Sequence, residues 1–240
     1  MHYLRLGSAG VAIALVLLAC SSCPPGVPAA TVKPTPEKYT PLDLKAKANQ
    51  KLKEDFHTGS FKGNNLSPLP RGKQKFGGVP FFIGEGLIQL GSSVVKNKPA
   101  KVEGIAVGRT FGRLHFLHAT GWKADDDTVI GTYTIHYADK TKATIDIVYG
   151  RDVRNWWNRQ DPREPSRGKR VWQGQNEAVK NLTGPTPVMV RLFLTTWQNP
   201  HPRKKVVSID YASAGEKLQA APFCVAITLE SEPPKGRRDK

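Results

Sequence analysis

The stretch VIGTYTIHYADKTKATIDIVY, residues 129–149, alternates bulky apolar and polar side chains on either side of a short polar break. In each half, three large side chains spaced two residues apart share one face of an extended chain: Tyr133, Ile135 and Tyr137, then Ile145, Ile147 and Tyr149. A period of two is typical of a β-strand with one buried face, and the letters ADKT between the halves are a turn signal. The stretch therefore predicts an antiparallel hairpin.

The chain around this hairpin carries more short runs of the same type. From residue 76 onward, runs such as KVEGIAV, RLHFLHA, VMVRLFLTTW, KVVSIDYAS and FCVAITLE are separated by Gly, Asp, Asn and Pro, without a helical period between them. Many short strands without crossover helices predict an all-β fold, an antiparallel β-sandwich or jelly roll. Residues 66–230 have a length suited to one such domain.

Residues 1–19 have the pattern of a secretion signal, because Arg5 precedes the apolar run GVAIALVLLA, which is too short to span a bilayer stably. The run ends in LLAC, which resembles the lipobox of bacterial lipoproteins. The resemblance implies that Cys20 carries lipid and anchors the exported protein to a membrane. The alternative is an ordinary signal peptide, cut nearby without lipid attachment. With Cys20 lipidated, Cys23 falls in a tether and Cys224 in a strand-like run, so no disulfide is expected.

The segments that flank the predicted domain are polar and basic. Residues 20–65 are rich in Pro, Ala, Lys and Thr without an apolar period, which predicts an extended tether, and residues 231–240 form a basic tail. The chain has 36 Lys and Arg against 20 Asp and Glu, a net charge of +16. Because the charge is spread out, it favours a solvated surface near anionic lipid or polysaccharide over a nucleic-acid interface.

The motifs from residue 66 to residue 230 follow a definite order: GVPFFIG, VEGIAVGRTFGRLHFLHATGW, the hairpin with GRDVRNWW after it, VWQGQN, RLFLTTWQNPHP, VVSIDYASA and APFCVAITLE. This order resembles the galactose-binding-like jelly-roll modules of bacterial extracytoplasmic proteins. The resemblance implies a specific fold, but it does not imply a specific ligand. In such modules the hairpin usually turns through Asp-Gly. This chain has Asp139 and Lys140 there, which should alter the turn and not the face of the sandwich.

The segment GRDVRNWW combines charged side chains with two adjacent tryptophans directly after the hairpin. Gly150 is the expected point at which the chain leaves the sheet, and in an extended segment Trp156 and Trp157 point to opposite sides. We therefore expect one indole to be buried, with Trp156 the more buried of the two, and the other to face a ligand. Arg151 and Asp152 then either bind that ligand or form structural ion pairs.

Two further tryptophans lie in predicted loops, Trp122 in HATGWKADDD and Trp172 in RVWQGQN. An indole at the edge of a sandwich is either a wedge in the core or part of an exposed patch. Exposed indoles stack on the C–H face of a sugar, and planar Arg and Asp side chains bind its hydroxyl groups. The sequence therefore predicts a ligand site formed at one end of the sandwich by Trp122, Arg151, Asp152, Trp156, Trp157 and Trp172.

Metal and catalytic sites are not predicted. The acidic run at residues 125–127 is interpreted as a solvated turn in preference to a calcium site. His115 and His118 are three residues apart, so they face opposite sides of a strand, and His136 is expected to be hydrogen-bonded within the sheet. The sequence has no HExxH, GxSxG or Walker A pattern.

The sequence predicts a lipid-anchored, exported binding module that recognises carbohydrate and has neither a cofactor nor enzymatic activity. The alternative is a structural or protein-interaction module of the cell envelope, in which the aromatic side chains form core and the basic surface contacts an acidic partner. Exposure of the indoles distinguishes the carbohydrate-binding module from the structural or protein-interaction module. Accessible indoles beside Arg or Asp favour a sugar, and complete burial favours a scaffold.

Overall fold

The computed structural model describes residues 37–56, 61–159, 161–180, 182–184 and 186–231. Within these residues the chain forms 13 strands and one short helix. In chain order they are β1 (Tyr39–Pro41), β2 (Gln50–Lys51), β3 (Gly72–Phe76), β4 (Val79–Ile83), β5 (Gly86–Gln89), β6 (Lys101–Arg109), β7 (Arg113–Gly121), β8 (Val129–Tyr137), β9 (Lys142–Val148), β10 (Lys169–Gly174), α1 (Glu177–Lys180), β11 (Val190–Gln198), β12 (Val206–Ser213) and β13 (Ala221–Glu230). The described part contains no helix that is long and apolar enough to cross a membrane.

Two antiparallel sheets form a sandwich-like arrangement, which confirms the predicted fold class. The larger sheet has the strand order β10-β11-β7-β13-β5-β2, and β1 also pairs with β13. The smaller sheet has the order β6-β12-β8-β9. Between the sheets, Tyr133 stacks on Phe116 of β7 with ring centroids 4.1 Å apart and on Tyr211 of β12 at 4.5 Å.

The hairpin predicted from residues 129–149 forms as β8 and β9, with Tyr133 opposite Ile145. The Tyr137 N–H donates to the Thr141 carbonyl and the Lys140 N–H donates to the Tyr137 carbonyl, both at 3.0 Å. Three residues therefore form the loop. The last of them, Lys140, has a φ of 68°, in the left-handed region that glycine occupies most easily.

A second apolar layer covers the outer face of the larger sheet. Cys224 of β13 faces Tyr133 between the sheets, so its neighbour Phe223 points to the opposite side. There Phe223 meets Phe56, with ring centroids 5.7 Å apart. The β3–β4 hairpin lies on the same sheet, because the Thr228 hydroxyl donates to the Pro80 carbonyl at 2.8 Å.

The predicted start of the domain at residue 66 is wrong, because part of the predicted tether belongs to the sandwich. Strands β1 and β2 lie in that segment, and four of its apolar side chains are buried: Leu42, Leu44, Leu52 and Phe56. These apolar residues have no regular period, since each fills a separate place in the outer layer. The predicted signal peptide at 1–19, Cys20, the first part of the tether and residues 232–240 of the tail lie outside the described residues.

Candidate functional site

The tryptophan segment is joined to the larger sheet by two isolated β-bridges, which pair Asn155 with Thr120 and Trp157 with Val190. The Trp156 N–H donates to the Thr120 carbonyl beyond the β7–β11 ladder at 2.9 Å, and the Arg191 N–H donates to the Trp156 carbonyl at 2.8 Å. The segment thus fills the gap where β7 and β11 separate. It starts at Gly150, whose φ is +80° and where a Cβ would lie 2.7 Å from an Asp126 carboxylate oxygen.

Both indoles of this segment are buried, so the expectation that one of them faces a ligand is wrong. Trp156 is 2% exposed and Trp157 is 9% exposed, which agrees with Trp156 being the more buried. Trp156 stacks on Phe56 at a centroid distance of 5.2 Å. The Trp157 Nε1–H donates to the Asn64 Oδ1 at 3.1 Å. Trp157 is covered by residues that the sequence assigned to the tether.

Asp152 is buried and has a structural role. Its carboxylate accepts hydrogen bonds from the Val148 N–H at 2.8 Å and from the Arg167 Nε and Nη2 atoms, each at 2.6 Å. This two-bond pairing is the strongest form of Arg–carboxylate contact. Arg151 is exposed and pairs with Asp127. The two residues therefore form separate ion pairs and do not line a common site.

A charge network fixes the loop that follows. The Arg154 Nη1 atom donates to Asp126 at 2.9 Å and to Asp161 at 2.7 Å, and the Tyr149 hydroxyl donates to Asp161 at 2.9 Å. Burial raises the pKa of Asp161, but hydrogen bonds from Arg163, Arg154 and Tyr149 outweigh burial and hold that pKa below its usual range. Of the two alternatives for the charged side chains of this segment, ligand contact and structural ion pairs, the structure shows the ion pairs.

The remaining predicted residues do not form an open aromatic platform. Trp122 and Trp172 are half-buried, and Trp172 packs so closely on Gly174 that a Cβ there would lie 2.8 Å from the indole. Asp126 and Asp127 are engaged in ion pairs. Among the described residues, no group of three or more His, Cys, Asp and Glu side chains is arranged to hold a metal ion.

His136 is hydrogen-bonded within its sheet, as predicted, and so are His115 and His118. His115 faces outward and contacts Glu230 at 3.1 Å, whereas His118 faces inward. The His118 Nε2 atom lies 2.9 Å from the Thr195 hydroxyl, and its Nδ1 atom lies 3.3 Å from the Tyr133 hydroxyl. His136 binds Asp210 at 2.8 Å. Burial lowers the pKa of His118 to about 4, so this imidazole is neutral at pH 7.

A cleft that the sequence did not predict opens beside β13. Strand β7 pairs along the whole of one edge of β13, so β5 and β1 must share the other edge. Strand β5 pairs with Phe223 and Cys224, and β1 pairs with residues 228–230. The cleft lies between them, with Val225 at its base, and has a volume of about 910 Å³.

The walls of the cleft come from residues 41–54 and from the β3–β4 hairpin. Its apolar side chains include Leu42, Leu44, Phe82 and Ile83. Phe82 is 49% exposed, while its neighbour Phe81 is 1% exposed, as expected for alternate sides of a strand. The charged and amide side chains of the lining are Asp43, Lys45, Asn49, Gln50, Lys51, Glu54, Arg71 and Glu85.

Arg71 is the least satisfied of these polar groups. Its Nη1 atom donates to the carbonyls of Leu66 and Leu69. Its Nε and Nη2 atoms are buried and have no hydrogen-bond partner among the described residues, an arrangement that costs about 1–3 kcal/mol for each unpaired group. Burial lowers the pKa of Arg71, and the nearby charge of Glu85 opposes that shift.

Sequence reasoning missed this cleft because it assigned one wall to a tether. The pair Phe81–Phe82 in the run VPFFI was an available signal, since one of two adjacent residues on a strand must face outward.

Comparison of the chain with family models, curated proteins and solved structures finds no match.

Proposed function

We propose that this protein is an exported, lipid-anchored binding module that takes a saccharide in the cleft beside β13, and not at the tryptophan segment. The observation that carries the proposal is the half-exposed ring of Phe82 beside planar polar side chains in a cleft of about 910 Å³. Small-molecule sites are typically concave, largely apolar and of this size, with a few converging polar groups.

A sugar suits this combination of side chains. The C–H face of a pyranose packs on an aromatic ring, and its hydroxyl groups pair with carboxylate and guanidinium side chains. Phe82 supplies the ring, and Asp43 and Glu85 supply carboxylates. The Asn49 side chain is committed elsewhere, since it exchanges two hydrogen bonds with the backbone of Gln89 at 3.0 and 2.9 Å.

Binding to a panel of immobilised glycans tests this function in the full-length protein. We expect selective binding that Phe82→Ala weakens about tenfold or more. Phe61 is 52% exposed and does not line the cleft, so Phe61→Ala is the matched control and should bind as the wild type does. A protein that binds no glycan, or binds equally after Phe82→Ala, contradicts the proposal.

The lipid anchor is tested separately. Cys20→Ala removes the thiol at the predicted cleavage site and should release the protein from the membrane fraction. A mature Cys20→Ala protein that stays membrane-bound would contradict lipid attachment at this residue.

A structural or protein-interaction role in the cell envelope is the second candidate. It is favoured by the burial of Trp156 and Trp157, which removes the sugar platform that the sequence had suggested. A negative result on the glycan panel together with copurification of an acidic envelope protein would support it.

A further inference from the structure

Both ends of the described chain leave the sandwich at the same place. The Ser231 N–H donates to the Lys38 carbonyl at 2.9 Å, and the Ser231 hydroxyl donates to the Glu37 carbonyl at 3.0 Å. Residues 21–36 connect Glu37 to Cys20, the predicted site of lipid attachment. An anchor at Cys20 therefore holds this end of the sandwich within about 60 Å of the membrane, the length of the fully extended connection.

Three loops surround this place: residues 110–112 between β6 and β7, 138–141 between β8 and β9, and 199–205 between β11 and β12. The loops and the strand residues next to them are called here the basic end of the sandwich. Its backbone is joined by hydrogen bonds from the Asn199 N–H to the Gly112 carbonyl at 2.9 Å and from the Ala138 N–H to the Lys205 carbonyl at 2.8 Å. A recess of about 610 Å³ connects two of the loops to the chain ends, and its lining includes Arg109, Arg203 and Ser231.

The basic end carries an excess of positive charge. Its carboxylates are few, and two of them are in ion pairs, since Glu230 pairs with Arg113 and Asp139 pairs with Lys204. Glu37 is exposed beside them. Five basic side chains of this end are exposed and have no carboxylate partner among the described residues: Arg109, Lys140, Lys142, Arg203 and Lys205.

The opposite end of the sandwich has no such excess in its recess. That recess has a volume of about 920 Å³, and its lining has basic and acidic side chains in equal number: Lys123, Arg163, Lys217, Asp125, Asp126 and Asp161. A negatively charged surface is therefore attracted more strongly to the basic end, which is also the end that an anchored chain holds near the membrane.

We propose that the basic end docks on the headgroups of an anionic lipid bilayer. The inference goes beyond the saccharide site and rests on the lipid anchor of the proposed function, because a reach of about 60 Å limits the distance to the membrane but not the orientation of the domain. Charge supplies the orientation, since each Lys or Arg near an anionic surface strengthens binding about fivefold. Val225 at the base of the cleft is five residues from Glu230 along β13, so docking leaves it about 17 Å from the basic end.

Vesicle sedimentation of the full-length Cys20→Ala protein tests the inference without the lipid. Vesicles of phosphatidylcholine alone are compared with vesicles of phosphatidylglycerol and phosphatidylcholine in equal amounts. We expect the protein to bind the anionic vesicles about tenfold or more tightly. About 1 M salt, at which the Debye length is about 3 Å, should remove the difference.

Two double variants with the same net charge locate the binding surface. Arg203→Gln/Lys205→Gln removes two exposed charges from the basic end, and Lys123→Gln/Lys217→Gln removes two from the opposite end. The first variant should weaken binding to anionic vesicles about tenfold or more, and the second by about twofold or less. Thermal unfolding checks that both proteins fold.

Should Arg203→Gln/Lys205→Gln not fold, Lys140→Gln/Lys142→Gln takes its place with the same expected loss. Equal binding to neutral and anionic vesicles overturns the inference, and so do equal losses in the variants of the two ends. A soluble acidic polysaccharide that binds more tightly than the anionic vesicles, and loses this binding in the basic-end variant, also overturns it.

These outcomes are separate from those of the proposed function. The glycan panel and Phe82→Ala test the saccharide cleft, whatever the vesicles show. The lipid anchor is measured in membranes washed with about 1 M salt, because screening then removes the attraction of the basic end and leaves only the lipid to hold the protein. Loss of the wild type in that wash contradicts the anchor, whereas the vesicle measurements decide the docking surface.

Discussion

Phe56 stacks on Trp156 with ring centroids 5.2 Å apart and planes inclined by 22°. Phe56 comes from the segment that composition assigns to a tether, and Trp156 comes from the segment that composition assigns to a ligand site. Each ring buries the other against Phe223, which contacts both edge-on at 5.7 Å. This aromatic cluster joins the start of the domain to the outer face of the larger sheet.

Truncation of Phe56 tests whether the early segment is part of the core. Phe56→Ala should lower the free energy of unfolding by about 3–5 kcal/mol, the usual loss for a large aromatic side chain in a core. The matched change Phe82→Ala removes a half-exposed ring and should cost about 1 kcal/mol or less. Chemical denaturation measures both values. Equal stability of Phe56→Ala and the wild type would show that the segment is only a tether.

The buried pair of Arg154 and Asp161 should be important for stability. The two residues are 5% and 4% exposed, so Asp161→Asn leaves Arg154 buried with one carboxylate fewer and should cost about 3 kcal/mol. Glu216→Gln breaks the exposed pair with Lys96 and should change stability by about 1 kcal/mol or less. Similar losses for the two variants, measured by chemical denaturation, would argue against a structural role for the network.

The hairpin turn offers a stabilising substitution. Lys140 has a φ of 68°, and this conformation costs an L-residue about 1–2 kcal/mol that glycine avoids, at some entropic expense in the unfolded chain. Lys140→Gly should therefore raise the free energy of unfolding by about 0.5–1 kcal/mol, seen as a higher Tm. Lys142 lies in strand β9, so Lys142→Gly should lower the free energy of unfolding. A destabilised Lys140→Gly protein would contradict the turn geometry.

His118 should make stability depend on pH. Its pKa in the folded protein is about 4, against about 6.5 in an unfolded chain. As the pH falls from 6.5 to 4, the unfolded chain gains a proton that the folded protein does not bind, so the free energy of unfolding decreases. The total decrease in the free energy of unfolding over this pH range is about 3 kcal/mol.

The variant His118→Gln isolates this effect from the titration of carboxyl groups. Its amide can replace hydrogen bonds to Thr195 and Tyr133 but does not titrate, so its stability should fall less between pH 6.5 and 4. The matched variant at exposed His201, His201→Gln, should behave as the wild type does. Denaturation curves at several pH values compare the three proteins. The same pH dependence in all three would exclude His118 as the cause.

Strand periodicity identified the fold class, because side chains on a half-buried strand must alternate. Tyr133, Ile135 and Tyr137 show this directly, and all three are buried. Leu42, Leu52 and Phe56 could not be placed in the same way, since irregular segments pack their apolar residues without a period.

The site was harder to predict than the fold. Trp156 and Trp157 are both buried, because long-range contacts with Phe56 and Asn64 cover the two indoles. Arg71 lies in a lysine-rich stretch. Nothing in the local sequence shows that part of its guanidinium is buried without a hydrogen-bond partner among the described residues, because an arginine in such a stretch is expected to be solvated.

Saccharide affinity of two single variants tests the central claim most directly, namely that the cleft binds the ligand and the tryptophan segment is structural. For a glycan that the wild type binds, calorimetric titration should show a loss of about tenfold or more for Phe82→Ala, because the stacking ring is removed. Arg151 is exposed in the tryptophan segment, and Arg151→Ala should bind as the wild type does. Unchanged affinity in Phe82→Ala together with a large loss in Arg151→Ala would contradict the account.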